Sequence, residues 1–131
     1  MKIGVISNGS FGTCLASILC ENGHDVILWG YETDYVEEMK KTRTNNRYLK
    51  GFDLPESLKL TSDMAEAVNG AELIVLATPS QFMRSSIENL AALNLDNPLF
   101  ANVAKGIEVK SLKRMSEIVN EYYKCIWVPT V

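Results

Sequence analysis

From its second residue the chain alternates short apolar runs with stripes of helical period, and few folds satisfy that order. Ile3 to Ile6 is a continuous apolar run, as a strand buried on both faces requires. Phe11, Cys14, Leu15, Ile18 and Leu19 follow at i, i+3, i+4, i+7 and i+8, one face of a helix that Asn22-Gly23 closes. Val26 to Trp29 reads as a second strand ended by Gly30, and Tyr31 to Lys41 as a helix with Tyr35, Val36 and Met39 on one side. Leu58 to Thr61 is a short strand. Asp63 stands at a helix N-cap with Glu66 three residues on, a capping-box variant whose helix stops at Asn69-Gly70. Leu73 to Ala77 is a strongly apolar strand. The pattern then gives a helix capped by Ser80 with Phe82, Met83, Ile87 and Leu90 inward, and a strand from Leu99 to Val103. A helical stripe of Leu112, Met115, Ile118, Val119 and Tyr122 and a last strand candidate from Cys125 to Val128 close the chain. Only Thr42 to Ser57, with Gly51 and Pro55, lacks a period, and it reads as a long loop. Repeated strand-helix-strand units imply a mostly parallel, doubly wound α/β sheet covered on both faces, with function at the carboxyl ends of its strands.

Bulk properties narrow the function classes. At 131 residues the chain is one domain, large enough for a core without staples. A net charge of −3 argues against a broad nucleic-acid-binding face, and the basic cluster Lys40, Lys41, Arg43, Arg47 and Lys50 reads as a solvated loop. No apolar run approaches the roughly 18 residues of a membrane span. The three cysteines, Cys14, Cys20 and Cys125, are odd in number and lack metal-ligand spacing. Cys14 and Cys20 read as small packed groups in a helix, and a reducing, cytoplasmic setting fits best. His24, the single histidine, enters the second strand at the end away from the expected site and reads as structural. No metal site is expected.

Chemistry concentrates in the first strand-to-helix turn, Ser7-Asn8-Gly9-Ser10-Phe11-Gly12. It matches the dinucleotide fingerprint G-x-G-x-x-G in the right context, except that Ser7 takes the first glycine's place. Gly9 lets the backbone approach a pyrophosphate, and Gly12 lets the helix close on the first strand. The helix N-terminus then offers free N–H groups and a partial positive charge to phosphate. If position 7 needs positive φ, a serine there costs on the order of 1 kcal/mol. An acid at the end of the second strand would read a ribose; Glu32, twenty residues after Gly12, is near that spacing but lies beyond the strand tip. Tyr31 reads either as an adenine-stacking plate or as an exposed helix-start aromatic. The segment leaves NAD and NADP both open. Lys105 follows a buried strand and precedes Gly106. It reads either as a turn lysine or as an ammonium at the sheet's carboxyl edge, able to hold a substrate oxygen or phosphate.

Several segments together resemble bacterial NAD(P)-dependent glycerol-3-phosphate dehydrogenases in their N-terminal cofactor-binding domain. They are Gly9-Ser10-Phe11-Gly12, Asn22-Gly23-His24-Asp25-Val26 with Leu28-Trp29-Gly30, Asn46-Arg47-Tyr48-Leu49-Lys50-Gly51 with Leu54-Pro55, Thr78-Pro79-Ser80-Gln81, and Ala104-Lys105-Gly106-Ile107-Glu108. Their order and spacing follow the family over roughly residues 2 to 120. The resemblance implies a Rossmann-like NAD(P)-binding domain over residues 1–131. Its implied activity is hydride transfer between NAD(P)H and dihydroxyacetone phosphate to give sn-glycerol 3-phosphate, within glycerophospholipid metabolism and phospholipid biosynthesis. It implies cofactor contacts from Asn8, Gly9, Ser10, Phe11, Gly12, Tyr31, Tyr48, Pro79 and Lys105. Among these, Ser10 and Phe11 face the phosphates and the nicotinamide side. Tyr31 stands where the family often has an arginine, Tyr48 approaches from the long loop, and Pro79 lies beside the nicotinamide ribose. Lys105 also touches substrate. The family's second, catalytic lysine and its substrate-phosphate ligands belong to a C-terminal helical domain. No residue of this chain corresponds to them, so the chain is expected to bind cofactor without turnover. A homodimer of the intact enzyme is compatible with the resemblance. The residues alone leave open a non-catalytic nucleotide-binding module, the N-terminal domain of another hydroxy-acid or hydroxyacyl dehydrogenase, and a fragment that buries its strand tips in a partner.

Overall fold

A computed structural model describes residues 1–96 and 98–123. The strand expected at Cys125 to Val128 lies outside them. Five strands form one parallel sheet in the order β5-β2-β1-β6-β7: β1 (Lys2–Ile6), β2 (Asp25–Trp29), β5 (Lys59–Thr61), β6 (Leu73–Leu76) and β7 (Phe100–Asn102). The apolar runs are continuous because alternate side chains enter two separate cores. Ile3, Val5, Val26, Leu28 and Val75 pack on one face against α1 (Ser10–Glu21) and α2 (Thr33–Thr42). Ile6, Ile27, Trp29, Ile74 and Leu76 pack on the other against α3 (Met64–Val68), α4 (Met83–Ala91) and α5 (Met115–Tyr122). Asp63 caps α3 by accepting the Ala65 N–H at 3.0 Å, while Glu66 turns away from the cap to accept the Thr61 hydroxyl.

Register sets up the site. Ile6 pairs with both Trp29 and Leu76, Leu76 pairs with Asn102, and Trp29 pairs with Thr61. The segments after β1, β2, β6 and β7 therefore leave the sheet from one row. The chain goes to opposite sides of β1 through β2 and β6, so the crevice between β1 and β6 is the topological switch point where doubly wound sheets take ligands.

Five expectations need correction. The apolar stripe of α1 does not face the sheet: Phe11 is 52% exposed, Cys14 and Ile18 are exposed, and the inward face is Gly12, Thr13, Ala16 and Cys20. Close contact at Gly12 admits only small side chains there, which leaves Leu15 and Leu19 at the rim. Ser80 caps no helix, because a 3-10 turn (Ser80–Phe82) precedes α4 and swings Phe82 to 63% exposure; Met83, Ile87 and Leu90 are fully buried as expected. Leu112 is exposed with φ +59°, since the turn it occupies delays α5 until Met115, and Tyr122 lies at the exposed margin of that helix. Thr42 to Ser57 is not loop alone. It holds an antiparallel hairpin, β3 (Thr44–Asn45) and β4 (Leu49–Asp53), whose second strand is too exposed to leave an alternating pattern. At β7 the strand is shorter than the apolar run, with Leu99 outside it and exposed.

Candidate functional site

The turn from Ser7 to Gly12 is built around a helix start left open on purpose by its residues. Gly9 is the N-cap of α1 and has no side chain to satisfy the first amides. The first turn carries no acid, so the N–H groups of Ser10, Phe11 and Gly12 face outward uncapped. The partial positive charge of the helix adds to them, and together they suit a phosphate or pyrophosphate.

The two fingerprint glycines do different jobs. A Cβ on Gly12 would lie 2.1 Å from the Ser7 carbonyl oxygen and 3.3 Å from the Ala77 Cβ, so this glycine is required by packing. A Cβ on Gly9 would meet nothing closer than the Ser7 Oγ at 3.6 Å, and its φ of −64° suits any residue. The fold itself does not ask for glycine at position 9. The bare surface it leaves lies at the mouth of the helix, a cradle that a side chain would fill and a dinucleotide's pyrophosphate fits.

Ser7 does adopt positive φ, at 110°. Part of the strain is offset locally: its N–H donates to the Trp29 carbonyl at 3.1 Å, and its Oγ accepts the Gly9 N–H at 3.3 Å. Asn8 directs its carbonyl inward, where it accepts from the Thr13 hydroxyl and from Asn45 Nδ2.

One flank of this turn comes from β2, α2 and the hairpin. Tyr31, 80% exposed, stands edge-on to Trp29 with ring centroids 6.4 Å apart. Glu32 is the N-cap residue of α2, just past the strand tip, and pairs with Arg47 of the hairpin at 2.8 Å. The Arg47 guanidinium lies 4.0 Å over the Tyr35 ring, and Tyr48 stands edge-on to Tyr35. The bond from Glu32 holds the Arg47 pKa above its ordinary value. Tyr31 and Tyr48, far apart in sequence, are thus carried on two segments that one ion pair joins.

The other flank comes from β6 and β7. Thr78 is buried and donates to the Ile6 carbonyl, which seats the exposed Pro79 beside β1. Lys105 follows β7 on an exposed turn. Gly106, with φ +106°, passes close to Ser80, and Gln81 donates to the Ile107 carbonyl, so the Pro79 and Lys105 turns abut. Among the described residues no acidic side chain pairs with Lys105. Behind it, Arg84 of α4 holds Glu108 with two nitrogens at 2.8 and 2.9 Å and also binds Glu121, which pairs with Lys113. Arg84 and then Lys113 push the Glu121 carboxyl down to about 2, and Arg84 with Ser111 holds Glu108 below the usual carboxylate range.

The expected residues Asn8, Gly9, Ser10, Phe11 and Gly12 share one turn, with Tyr31 and Tyr48 to one side and Pro79 and Lys105 to the other. The structure adds Asn45, Thr13 and Arg47 to this neighbourhood; a lone amide inside an aperiodic stretch carries no signal of burial in the sequence. His24 sits at the opposite edge, beside the amino terminus, as expected. Among the described residues there is no cluster able to hold a metal ion, and no helix is long and apolar enough to cross a membrane.

Comparison with known proteins identifies the family and the fold. Residues 2–126 match the family model described as NAD-dependent glycerol-3-phosphate dehydrogenase N-terminus. A glycerol-3-phosphate dehydrogenase [NAD(P)+] of Prosthecochloris aestuarii is 45% identical over 121 residues, covering 92% of this chain and 36% of the relative. One from Lysinibacillus sphaericus is 44% identical over 120 residues, with the same coverage. The crystal structure of glycerol-3-phosphate dehydrogenase from Coxiella burnetii superposes with a TM-score of 0.85 at 33% identity, covering 92% of this chain and 37% of that one. The chain spans about a third of the length of these relatives.

Proposed function

The chain belongs to the NAD-dependent glycerol-3-phosphate dehydrogenase family through its N-terminal domain, and from that premise we propose that residues 1–131 form the unit that binds NAD(H) or NADP(H) for the interconversion of dihydroxyacetone phosphate and sn-glycerol 3-phosphate. The observation that carries this reading is the uncapped, acid-free start of α1 behind Gly9, set at the β1/β6 switch point.

Each segment has a part in this reading. Asn8 to Gly12 hold the pyrophosphate through backbone N–H groups, with Phe11 toward the nicotinamide. Tyr31 and Tyr48 border the adenosine. Pro79 lies beside the nicotinamide ribose. The Lys105 ammonium reaches both the cofactor and the substrate, orienting the triose phosphate and polarising its carbonyl. When bound, the dinucleotide supplies the hydride exchanged with the central carbon of the substrate. The proton is handled by a lysine of the helical substrate domain that such enzymes place after this one. The setting is cytoplasmic, in the supply of phospholipid precursors, and the complete enzyme is compatible with a homodimer.

Calorimetric titration of the 131-residue chain tests the reading. Saturable one-to-one binding of NADH or NADPH is expected, and the tighter ligand gives the preference. Absence of heat with either at millimolar concentration contradicts it. Added dihydroxyacetone phosphate should cause no NADH oxidation by this chain alone; measurable oxidation would place the proton-handling group within these residues.

A further inference from the structure

The phosphate turn contains a strained serine, and strain of that kind persists only where the surroundings over-determine it. Its neighbour Asn8 is held by a buried polar chain that reaches it from Asn45, 37 residues further on. Asn45, on the two-residue strand β3, is 1% exposed. Its Nδ2 donates both protons, one to the Asn8 carbonyl at 2.8 Å and one to the Thr13 Oγ at 2.8 Å. The Thr13 hydroxyl in turn donates to the same Asn8 carbonyl at 3.1 Å. The Asn45 Oδ1 accepts from the Tyr35 hydroxyl at 2.6 Å, and that hydroxyl accepts the Arg47 N–H at 3.0 Å. Donors and acceptors run in one direction from the hairpin to the turn, so each bond polarises the next. The amide has no idle proton and could not be replaced by a carboxylate without losing both donors.

We propose that Asn45 is a positioning residue for the cofactor turn: through the Asn8 carbonyl it holds Ser7 to Gly12 in the phosphate-binding shape against the strain at Ser7. The inference rests on the dinucleotide reading above. A side chain that merely filled a polar hole in the core would stabilise the domain without regard to what stands at position 7. A clamp acting on the turn depends on it. With glycine at position 7 the turn no longer resists its conformation, and the clamp matters less.

The test is a double-mutant cycle read by NADH titration, with thermal unfolding of each variant alongside to establish that it is folded. Asn45→Ala is expected to weaken NADH about tenfold in the parent chain, the scale of one or two lost hydrogen bonds. The same substitution in a Ser7→Gly background should cost about threefold or less. Unchanged affinity in a folded Asn45→Ala variant, or an equal loss in both backgrounds, overturns the inference while leaving the cofactor reading intact. Failure of the parent chain to bind NADH and NADPH overturns both. Should Asn45→Ala not fold, Tyr35→Phe, which keeps the ring under Arg47 and removes one donor, carries the same cycle with the same criteria.

Discussion

The two flanks of the phosphate turn are finished to different degrees. On the hairpin side the chain completes its own contacts: the Asn45 amide is saturated, Glu32 holds Arg47, and Arg47 covers Tyr35. On the β6–β7 side the working edge is open. Pro79, Phe82, Lys105 and Ile107 are exposed, and the order of the segment comes from behind, through Arg84, Glu108 and Glu121. The difference teaches where binding and chemistry separate. A flank that is rigid by itself can hold a ligand in advance and lose little entropy on binding. A flank that offers an ammonium with no acidic partner among the described residues, beside exposed apolar faces, is the side that the proposed function assigns to the substrate. Affinity for the dinucleotide should therefore be governed by the turn and the hairpin side, and turnover by the Lys105 side.

Substitutions can break this comparison or sharpen it. The largest effect belongs to the joint that both flanks share. Gly12→Ala places a methyl against the Ser7 carbonyl and the Ala77 side chain, and a destabilisation of about 2–4 kcal/mol is expected by denaturant unfolding. A near-neutral result would mean that α1 can rise off β1 without cost. Ser7→Gly should raise stability by about 1 kcal/mol, because φ of 110° costs a serine more than a glycine. An unchanged or lower unfolding midpoint would show that the Oγ bond to Gly9 offsets the strain fully. Lys105→Met probes the open flank. NADH affinity of this chain should change by less than about threefold, since an exposed lysine interaction is worth under ~1 kcal/mol. A loss of a hundredfold would move the seat of affinity to that side.

Much of this was legible in sequence, and the exceptions have physical causes. The strands of the sheet were readable because both faces of β1, β2 and β6 are buried, which forces unbroken apolar runs. The phosphate turn was readable because Gly12 is a steric requirement and Gly9 stands at its fixed distance. The phase of α1 was not, since a helix pressed on a sheet at a glycine buries its small residues and leaves Phe11 and Ile18 outside. The hairpin was not, because four of the five β4 residues are exposed and its ties to the core run through polar groups, the Asn45 amide and Arg47 against Glu32 and Tyr35. Phe82 misled for a local reason: a 3-10 turn advances the chain differently from an α-turn and rotates that ring out.

The smallest expected effect is a pH dependence confined to the open flank. Arg84 and Lys113 depress the Glu121 carboxyl to about 2. A group depressed in the folded state adds stability that is fully present above its unfolded pKa, roughly 4.3. That stability is lost as the pH falls through the folded value. Unfolding midpoints should therefore drop more steeply between pH 5 and about 2 in the parent than in Glu121→Gln. Parallel profiles would remove Glu121 from the forces holding the segment behind Lys105.

The most direct measurement is NADH titration of Gly9→Val beside the parent chain, with the stability of both recorded. Valine there meets no atom of the fold closer than Ser7 Oγ at its Cβ, so stability should shift by no more than about 1 kcal/mol. If the mouth of α1 is the pyrophosphate cradle, binding should fall by a hundredfold or more, about 2.7 kcal/mol. A folded Gly9→Val that binds NADH like the parent would contradict the placement of the cofactor at this turn.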